Sequence, residues 1–429
     1  MATNRFPNFL IPRLPFYYGW VVLGCICCAG FARQGPAVAT LSIFMDPMTT
    51  EFGWSRTAIS GAVSLGGILA AITSPMLGTQ LDRHGARMML CLAVFTTALA
   101  TMALSLTQSL LVFYLLFCFA RMNFAGPFDL GIYGALNNWF VRRRGMATSV
   151  TTLSLMIGLI SMPLIAQTAI VLDGWRTGWL AVGASVMIIG FLPNWLLMVR
   201  RPEDVGLVPD ARIQPPDPNR QTDPHASLPE PEPAFTKAEA LRTPAFWLLS
   251  LFTLLVYPVQ AGVSLHQAPH LIESGIDPTI AATIVSTFSL FSAITGVGFG
   301  FIARRLPTRL MLAFVGLCLS ASAFLMIGIT SAVMGYVSAA IFGIGIGGVL
   351  TLLPIAWADY FGRRSFGAIR GVALSIQVLA QAAGPLLSGI LRDLTGNYTL
   401  SLECFTVLGL VAAVAALATV QPQAPKAAP

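Results

Sequence analysis

Charge is what this chain has least of. Of its 429 residues only 10% are Asp, Glu, Lys or Arg, and four are His. A typical soluble domain carries roughly 25% charged residues. The shortage excludes an ordinary water-soluble enzyme, a disordered regulator and a fibrous protein. Cysteine is sparse as well. Cys25, Cys27, Cys28, Cys91, Cys118, Cys318 and Cys404 all fall inside apolar runs, without polar companions at metal-ligand spacing. They read as small packing residues, so neither a disulfide framework nor a metal centre is expected. No Ser/His/Asp set and no phosphate-cradling loop converges, so neither an enzyme nor a cofactor is expected.

What is abundant is apolar sequence: 55% of the chain, with a mean hydropathy of +0.75. A membrane-crossing helix uses about 20 such residues, so the inventory fills on the order of twelve spans. Twelve runs of that length are readable, at 17–44, 56–80, 88–106, 109–138, 146–171, 177–199, 245–271, 279–302, 310–329, 333–358, 368–391 and 399–420. The run at 17–44 is too long for a cleaved signal peptide and lacks a small-residue cleavage site. It is expected to remain as the first span. Between spans six and seven lies a Pro-rich, mixed-charge stretch, 200–243, which buries too little apolar surface to fold alone and reads as a cytoplasmic linker. The expected domains are therefore 1–199, the linker 200–243, and 244–429 with a short tail.

Lys and Arg set the orientation. With the N-terminus inside, 20 of the 25 basic residues fall in inner loops and only Arg56, Arg176 and Arg392 in outer ones. Both termini are then cytoplasmic. The formal net charge of +7 is explained by topology, and no nucleic-acid partner is needed.

Sliding the chain along itself until Pro36 meets Pro258 also brings Pro163 onto Pro385, Gly53 onto Gly275 and Gly78 onto Gly300. The loop Phe140-Val-Arg142-Arg143 corresponds to Phe361-Gly-Arg363-Arg364. After a short insertion, Arg144-Gly-Met-Ala147 corresponds to Arg370-Gly-Val-Ala373. Six helices followed by six in the same orientation indicate a parallel repeat about the membrane normal, the arrangement of major facilitator transporters. The expected fold is an all-α membrane protein of twelve transmembrane helices in two six-helix halves.

The loop Gly78-Thr-Gln-Leu-Asp82-Arg83-His-Gly85-Ala-Arg87 resembles the signature of that superfamily between helices 2 and 3. The resemblance implies that Gly78, Asp82, Arg83, Gly85 and Arg87 form a conformational motif and not a substrate site. In the second copy, Gly300-x-x-x-Arg304-Arg305-x-Pro307-x-Arg309, arginine stands where aspartate would be expected. A narrower resemblance runs through Tyr17-Tyr18-Gly19-Trp20, Phe52-Gly53-Trp54-Ser55-Arg56, Trp139-Phe140-x-x-Arg143-Arg144-Gly145-x-Ala147, Arg201-Pro202-Glu203-Asp204-x-Gly206, Phe246-Trp247 and His266-x-x-Pro269. Together these are similar to the bacterial branch of the monocarboxylate transporter and oxalate/formate antiporter group. That group moves small organic anions, with a proton or in exchange.

Ionisable groups inside spans cost about 2.5–3.5 kcal/mol each on insertion scales, so they need a partner or a purpose. The candidates are Arg33, Arg121, Asp129, His266 and His270. Arg33 is followed by Gln34-Gly35-Pro36, which would disturb its helix. Arg121 lies near the bilayer midplane, and the resemblance places helices 1, 4, 7 and 10 around the central cavity. Either arginine could hold a substrate carboxylate by paired hydrogen bonds, or could instead form a structural ion pair with Asp129. Asp129 is eight residues beyond Arg121, about 80° around the helix and 12 Å along it, so Arg33 is the better placed partner. His266 fits the group's His-x-x-Pro pattern, and an ordinary pKa near 6.5 suits a proton-coupled step. Asn123, Tyr133, Gln260, Gln377 and Gln381 are further polar candidates, though interhelical glue explains them equally well. Helix 8 carries no charge and Arg370 sits at the mouth of helix 11, so the cationic centre is expected in the N-terminal half.

The sequence therefore reads as a secondary transporter of small organic anions, a monocarboxylate first among them. It would function as a monomer in a bacterial inner membrane, with H+ as the coupling ion to test and Asp129 and His266 as the groups to carry it. The rival readings are a proton-driven efflux antiporter for amphipathic compounds and a membrane sensor that binds without translocating.

Overall fold

The computed structural model describes residues 5–54, 56–210, 233–303 and 305–422. Arg212, Arg220, Arg304 and Lys426, counted above as inner charges, lie outside these. Every regular element among the described residues is helical, and eleven helical stretches are long and apolar enough to cross a bilayer. One of them, Arg144–Leu197, has 54 residues. At 1.5 Å per residue it would be about 81 Å long, against a hydrocarbon core of ~30 Å. Asp173 and Gly174 inside it have non-helical backbone angles (φ −153° and +84°). The stretch turns there and supplies two passes, which gives the twelve expected from the sequence. Large apolar side chains face outward along them, among them Met76, Phe301, Phe324, Val333 and Leu394, as a hydrocarbon solvent requires.

Three passes depart from a straight helix, each for a readable reason. The first runs Gly19–Arg33, breaks, and resumes at Val38–Phe52. Pro36 has no N–H and its ring clashes with the carbonyl four residues back; the Ala32 carbonyl accepts instead from the Gly35 N–H at 3.1 Å, and the Gln34 carbonyl accepts from the Ala37 N–H at 3.2 Å and the Thr40 hydroxyl at 2.8 Å. The fourth runs Leu110–Ala125 and resumes at Pro127–Trp139 around Gly126 (φ −106°, ψ −87°). The sixth contains a π-helical turn, Val186–Phe191, packed against the break in the first pass. A Cβ on Gly35 would come within 2.8 Å of Val186.

Contacts between passes from before and after the linker gather at the end that carries most of the arginines. There Asp82 accepts from the backbone N–H of Gly367 (2.9 Å) and of Ala368 (2.8 Å). Arg144 pairs with Asp359, Arg363 donates to the Asn138 carbonyl at 3.3 Å, and Ser149 donates to the Gly296 carbonyl at 3.0 Å. At the opposite end the described ion pairs join elements on the same side of the linker, Glu51 with Arg176 at 2.7 Å and Glu273 with Arg392 at 2.9 Å. Arg176 and Trp175 hold the Glu51 carboxyl below the ordinary carboxylate range. Among the described residues the ties across the bundle named above are therefore at its basic end.

The described ends of the stretch between passes six and seven are docked. Asp210 accepts from the backbone N–H groups of Val141 (2.7 Å), Arg142 and Arg143 (3.3 Å). Phe235 is buried edge-on against Phe361. Thr236 and Glu239 close a capping box on the helix Lys237–Leu241.

Candidate functional site

The two broken passes bring the scarce charges together. Arg33 stands at the end of the first half of pass one, and Asp129 in the first turn of Pro127–Trp139. A carboxylate there is stabilised by the helix dipole. Arg33 Nη1 lies 3.6 Å from Asp129 Oδ1, and its Nε donates to the Phe124 carbonyl at 2.9 Å. Arg121 is one turn before Phe124, and both guanidinium groups lie over that ring, Arg33 at 4.6 Å and Arg121 at 4.1 Å from its centre. Pass two comes close to Arg121 only because residue 66 is glycine: a Cβ there would fall 2.7 Å from the Arg121 Cβ.

The second carboxylate oxygen is used from across the bundle. Arg370 Nη2 donates to Asp129 Oδ2 at 3.2 Å and to Gln377 Oε1 at 2.6 Å. Arg370 is 1% exposed, so it is not at the mouth of helix 11, and the cationic centre is not confined to the N-terminal passes. The reason lies in the register of the repeat. The helices of passes five and eleven start at Arg144 and Phe366, which are counterparts when Pro163 is matched with Pro385, with no insertion between. Arg370 therefore sits one turn deeper than Arg144, and reaches Asp129 where Arg144 reaches Asp359.

Tyr133 and Tyr257 are both buried and within electrostatic range of Arg33, Asp129 and Arg370. Tyr257 was not singled out from the sequence, although its position before Pro258 on pass seven was a usable signal. The cluster thus holds three arginines and one carboxylate. Nε and Nη1 of Arg121, and Nε and Nη1 of Arg370, are buried without a hydrogen-bond partner among the described residues. Buried donors left unpaired cost about 1–3 kcal/mol each, more when charged, so this arrangement is built for a further acceptor.

Other candidates lie elsewhere. Gln381 Nε2 donates to Gln260 Oε1 at 3.2 Å, a pair between passes eleven and seven in an accessible position. Asn123 is buried and donates to the hydroxyls of Thr96 (3.0 Å) and Thr97 (3.1 Å) on pass three, away from the arginines. Asn123→Ala is expected to lower stability by about 1 kcal/mol, the net worth of such bonds, and to leave transport intact; thermal unfolding and vesicle flux on one preparation check both. His266 bonds the Tyr398 hydroxyl (3.3 Å) and the Pro385 carbonyl (3.1 Å), and His270 bonds the Met326 carbonyl (2.7 Å). Both histidines tie pass seven to its neighbours, and neither touches the arginine cluster.

In the conformational motif, a Cβ on Gly78 would lie 2.0 Å from the Gly367 carbonyl oxygen. Gly85 takes φ +84° against Arg200, and Arg87 donates to the Trp195 carbonyl at 3.0 Å. Arg83 is exposed.

A family model described as Major Facilitator Superfamily matches residues 22–385 and, in a second overlapping match, 262–429. Monocarboxylate transporter 7 of Homo sapiens is 23% identical over 94% of this chain and 86% of its own length. Membrane sensor protein UhpC of Salmonella typhimurium is 26% identical over 85% of this chain and 82% of its own. Among solved structures, the Major Facilitator Superfamily transporter FucP in the outward conformation superposes with a TM-score of 0.69 at 13% identity, covering 94% of this chain and 100% of that one. A bacterial homologue of iron transporter ferroportin in outward-facing state gives 0.69 at 16% identity, covering 92% and 98%. The fold is that of multi-pass Major Facilitator Superfamily proteins, and the relatives include a monocarboxylate transporter and a membrane sensor. The chain belongs to the Major Facilitator Superfamily.

Proposed function

We propose that the protein carries small organic anions, monocarboxylates in the first place, across a bacterial inner membrane with both termini cytoplasmic. Residues 1–199 and 244–429 act as two halves that rock about the Arg33–Asp129–Arg370 cluster, with 200–243 as the link between them. The observation that carries this reading is the charge of the cluster. Arg33 and Arg370 share one carboxylate while Arg121 has none, and four donor nitrogens of Arg121 and Arg370 remain without an acceptor among the described residues. A carboxylate supplies both the missing charge and paired acceptor oxygens. The ties across the bundle at its basic end support an outward-facing state with the cluster reachable from outside. Its relation to monocarboxylate transporters supports the substrate class.

Counterflow of labelled lactate or pyruvate into vesicles containing the purified protein tests the reading. Arg121→Gln is expected to lower uptake about 10- to 100-fold, from the 1.5–3 kcal/mol of a hydrogen bond to a charged group. Wild-type rates in both Arg121→Gln and Arg33→Gln would sink the assignment. An imposed pH gradient tests proton coupling. Asp129 is the group through which a proton would act on the cluster, because protonating it releases Arg33 and Arg370 together. His266 would act on the outer packing of pass seven instead. Gradient-driven uptake that survives in His266→Gln and not in Asp129→Asn selects Asp129.

One relative is a sensor, which supports a second reading in which the anion is bound and not moved. Saturable binding of the labelled anion without counterflow would favour it. An efflux antiporter for amphipathic compounds would instead be supported by drug accumulation in deletion cells with unchanged growth on carboxylates.

A further inference from the structure

The basic end is closed by two seams that the internal repeat relates to one another. At one, Gly78 of pass two meets Gly367 of pass eleven; at the other, Gly300 of pass eight meets Gly145 of pass five. Gly78 and Gly300 are counterparts in the repeat, and so are Gly145 and Gly367. At the first seam a carboxylate stitches the helices, Asp82 accepting from two backbone N–H groups of the opposite helix. At the second, the repeat counterpart of Asp82 is Arg304 by sequence. The seam is strongly basic: Arg143 and Arg305 line an open groove there together with Met146, Gly300 and Phe301. Both arginines are exposed, and neither side chain makes an ion pair among the described residues; the Arg143 guanidinium lies 5.6 Å from the ring centre of Trp20. Of the acids close by, Asp359 pairs with Arg144, and Asp210 is taken up by the backbone N–H groups of Val141, Arg142 and Arg143.

We propose that this groove binds the headgroup of an anionic phospholipid, whose phosphate bridges Arg143 and Arg305 and takes the place of the carboxylate that the second seam lacks. The commitment to a lipid, over a free anion, comes from the rim. Phe301 is 61% exposed and Met146 36%, beside exposed Ile302, Val150 and Leu153, so an apolar strip runs from the arginines down passes five and eight, where acyl chains would lie. Basic pockets between helices at a membrane surface recognise such headgroups. Because the two arginines belong to elements from either side of the linker, a bound lipid holds the second seam shut and favours the state fastened at the basic end.

Native mass spectrometry of the full-length protein tests this, with the protein released from detergent containing phosphatidylglycerol or phosphatidylcholine. The wild type is expected to retain one phosphatidylglycerol in preference to phosphatidylcholine. In Arg143→Gln/Arg305→Gln that adduct should weaken by roughly twenty- to thirtyfold, from about fivefold per arginine near an anionic headgroup. The lysine pair Arg143→Lys/Arg305→Lys should retain it. Equal unfolding temperatures of all three proteins in phosphatidylcholine establish that the variants are folded; a variant that fails this is replaced by the single Arg305→Gln, for which about a fivefold loss is expected. Undiminished adduct in the glutamine variant, or no preference for the anionic lipid in the wild type, overturns the proposal. So does stabilisation of the wild type by inorganic phosphate equal to that by phosphatidylglycerol, because the site would then be one for a free anion.

Discussion

Asp129→Ala is expected to destabilise the protein by about 3–5 kcal/mol, the range for breaking a buried ion pair by removing one partner. The size follows from what is left behind. Asp129 is 4% exposed and accepts from Arg370 while facing Arg33. Its loss strands the Arg33 and Arg370 guanidinium groups, and Arg33 shares the Phe124 ring with Arg121, whose own Nε and Nη1 are already without partners among the described residues. Equilibrium unfolding in mixed micelles measures the cost. The double variant Asp129→Asn/Arg370→Gln should recover much of it, since Gln377 is then left beside a neutral amide and not a bare charge. An Asp129→Ala protein as stable as the wild type, or a double variant additive in its two single costs, would remove Asp129 as the bridge across the bundle. Added carboxylate substrate should stabilise Asp129→Ala more than the wild type, because it supplies the negative charge that the substitution removes.

Gly78→Ala should reduce transport to background although it adds a single carbon. That atom would fall 2.0 Å from the Gly367 carbonyl oxygen and 2.7 Å from its carbon, where backbone cannot yield, so passes two and eleven must separate at the basic end. Gly300→Ala should act in the same way at the other seam, where the added carbon meets Ser149 Oγ at 1.7 Å and the Gly145 carbonyl at 2.5 Å. Gly298→Ala, two residues away, meets nothing within 4 Å and should transport normally. Labelling of a cysteine placed at Ser375, whose hydroxyl donates across the seam to the Ala71 carbonyl at 2.6 Å, reads the seam directly. It should be faster from the basic side in the Gly78 variant than in the wild type. Normal flux in both Gly78→Ala and Gly300→Ala would mean that closure at this end is not part of the cycle.

The roles of Arg33, Arg121 and Asp129 as members of one cluster were legible because charge is so scarce that each stands out in an apolar run. Helical geometry spoke against a pair of Arg121 with Asp129 and left Arg33 as a candidate partner, which the structure places at 3.6 Å. Arg370 was hidden for the opposite reason. It lies among the inner-loop arginines, where membrane topology accounts for a charge without any partner. A plausible sequence match with Arg144 then placed it one turn too shallow. Tyr257 was hidden because a tyrosine in an apolar span is usually packing. Asn123 and His266 show the converse: polar side chains that looked available are committed to Thr96, Thr97, Pro385 and Tyr398.

By itself the sequence determined the number of passes, the basic end and the repeat, because each is written in the spacing of apolar runs, arginines and prolines along one dimension. Which arginine shares Asp129, which donors remain open, and which end is fastened were decided only by the tertiary structure. These depend on groups 91 to 241 residues apart meeting in a medium where a buried charge is stable only when an opposite charge or a dipole comes to it.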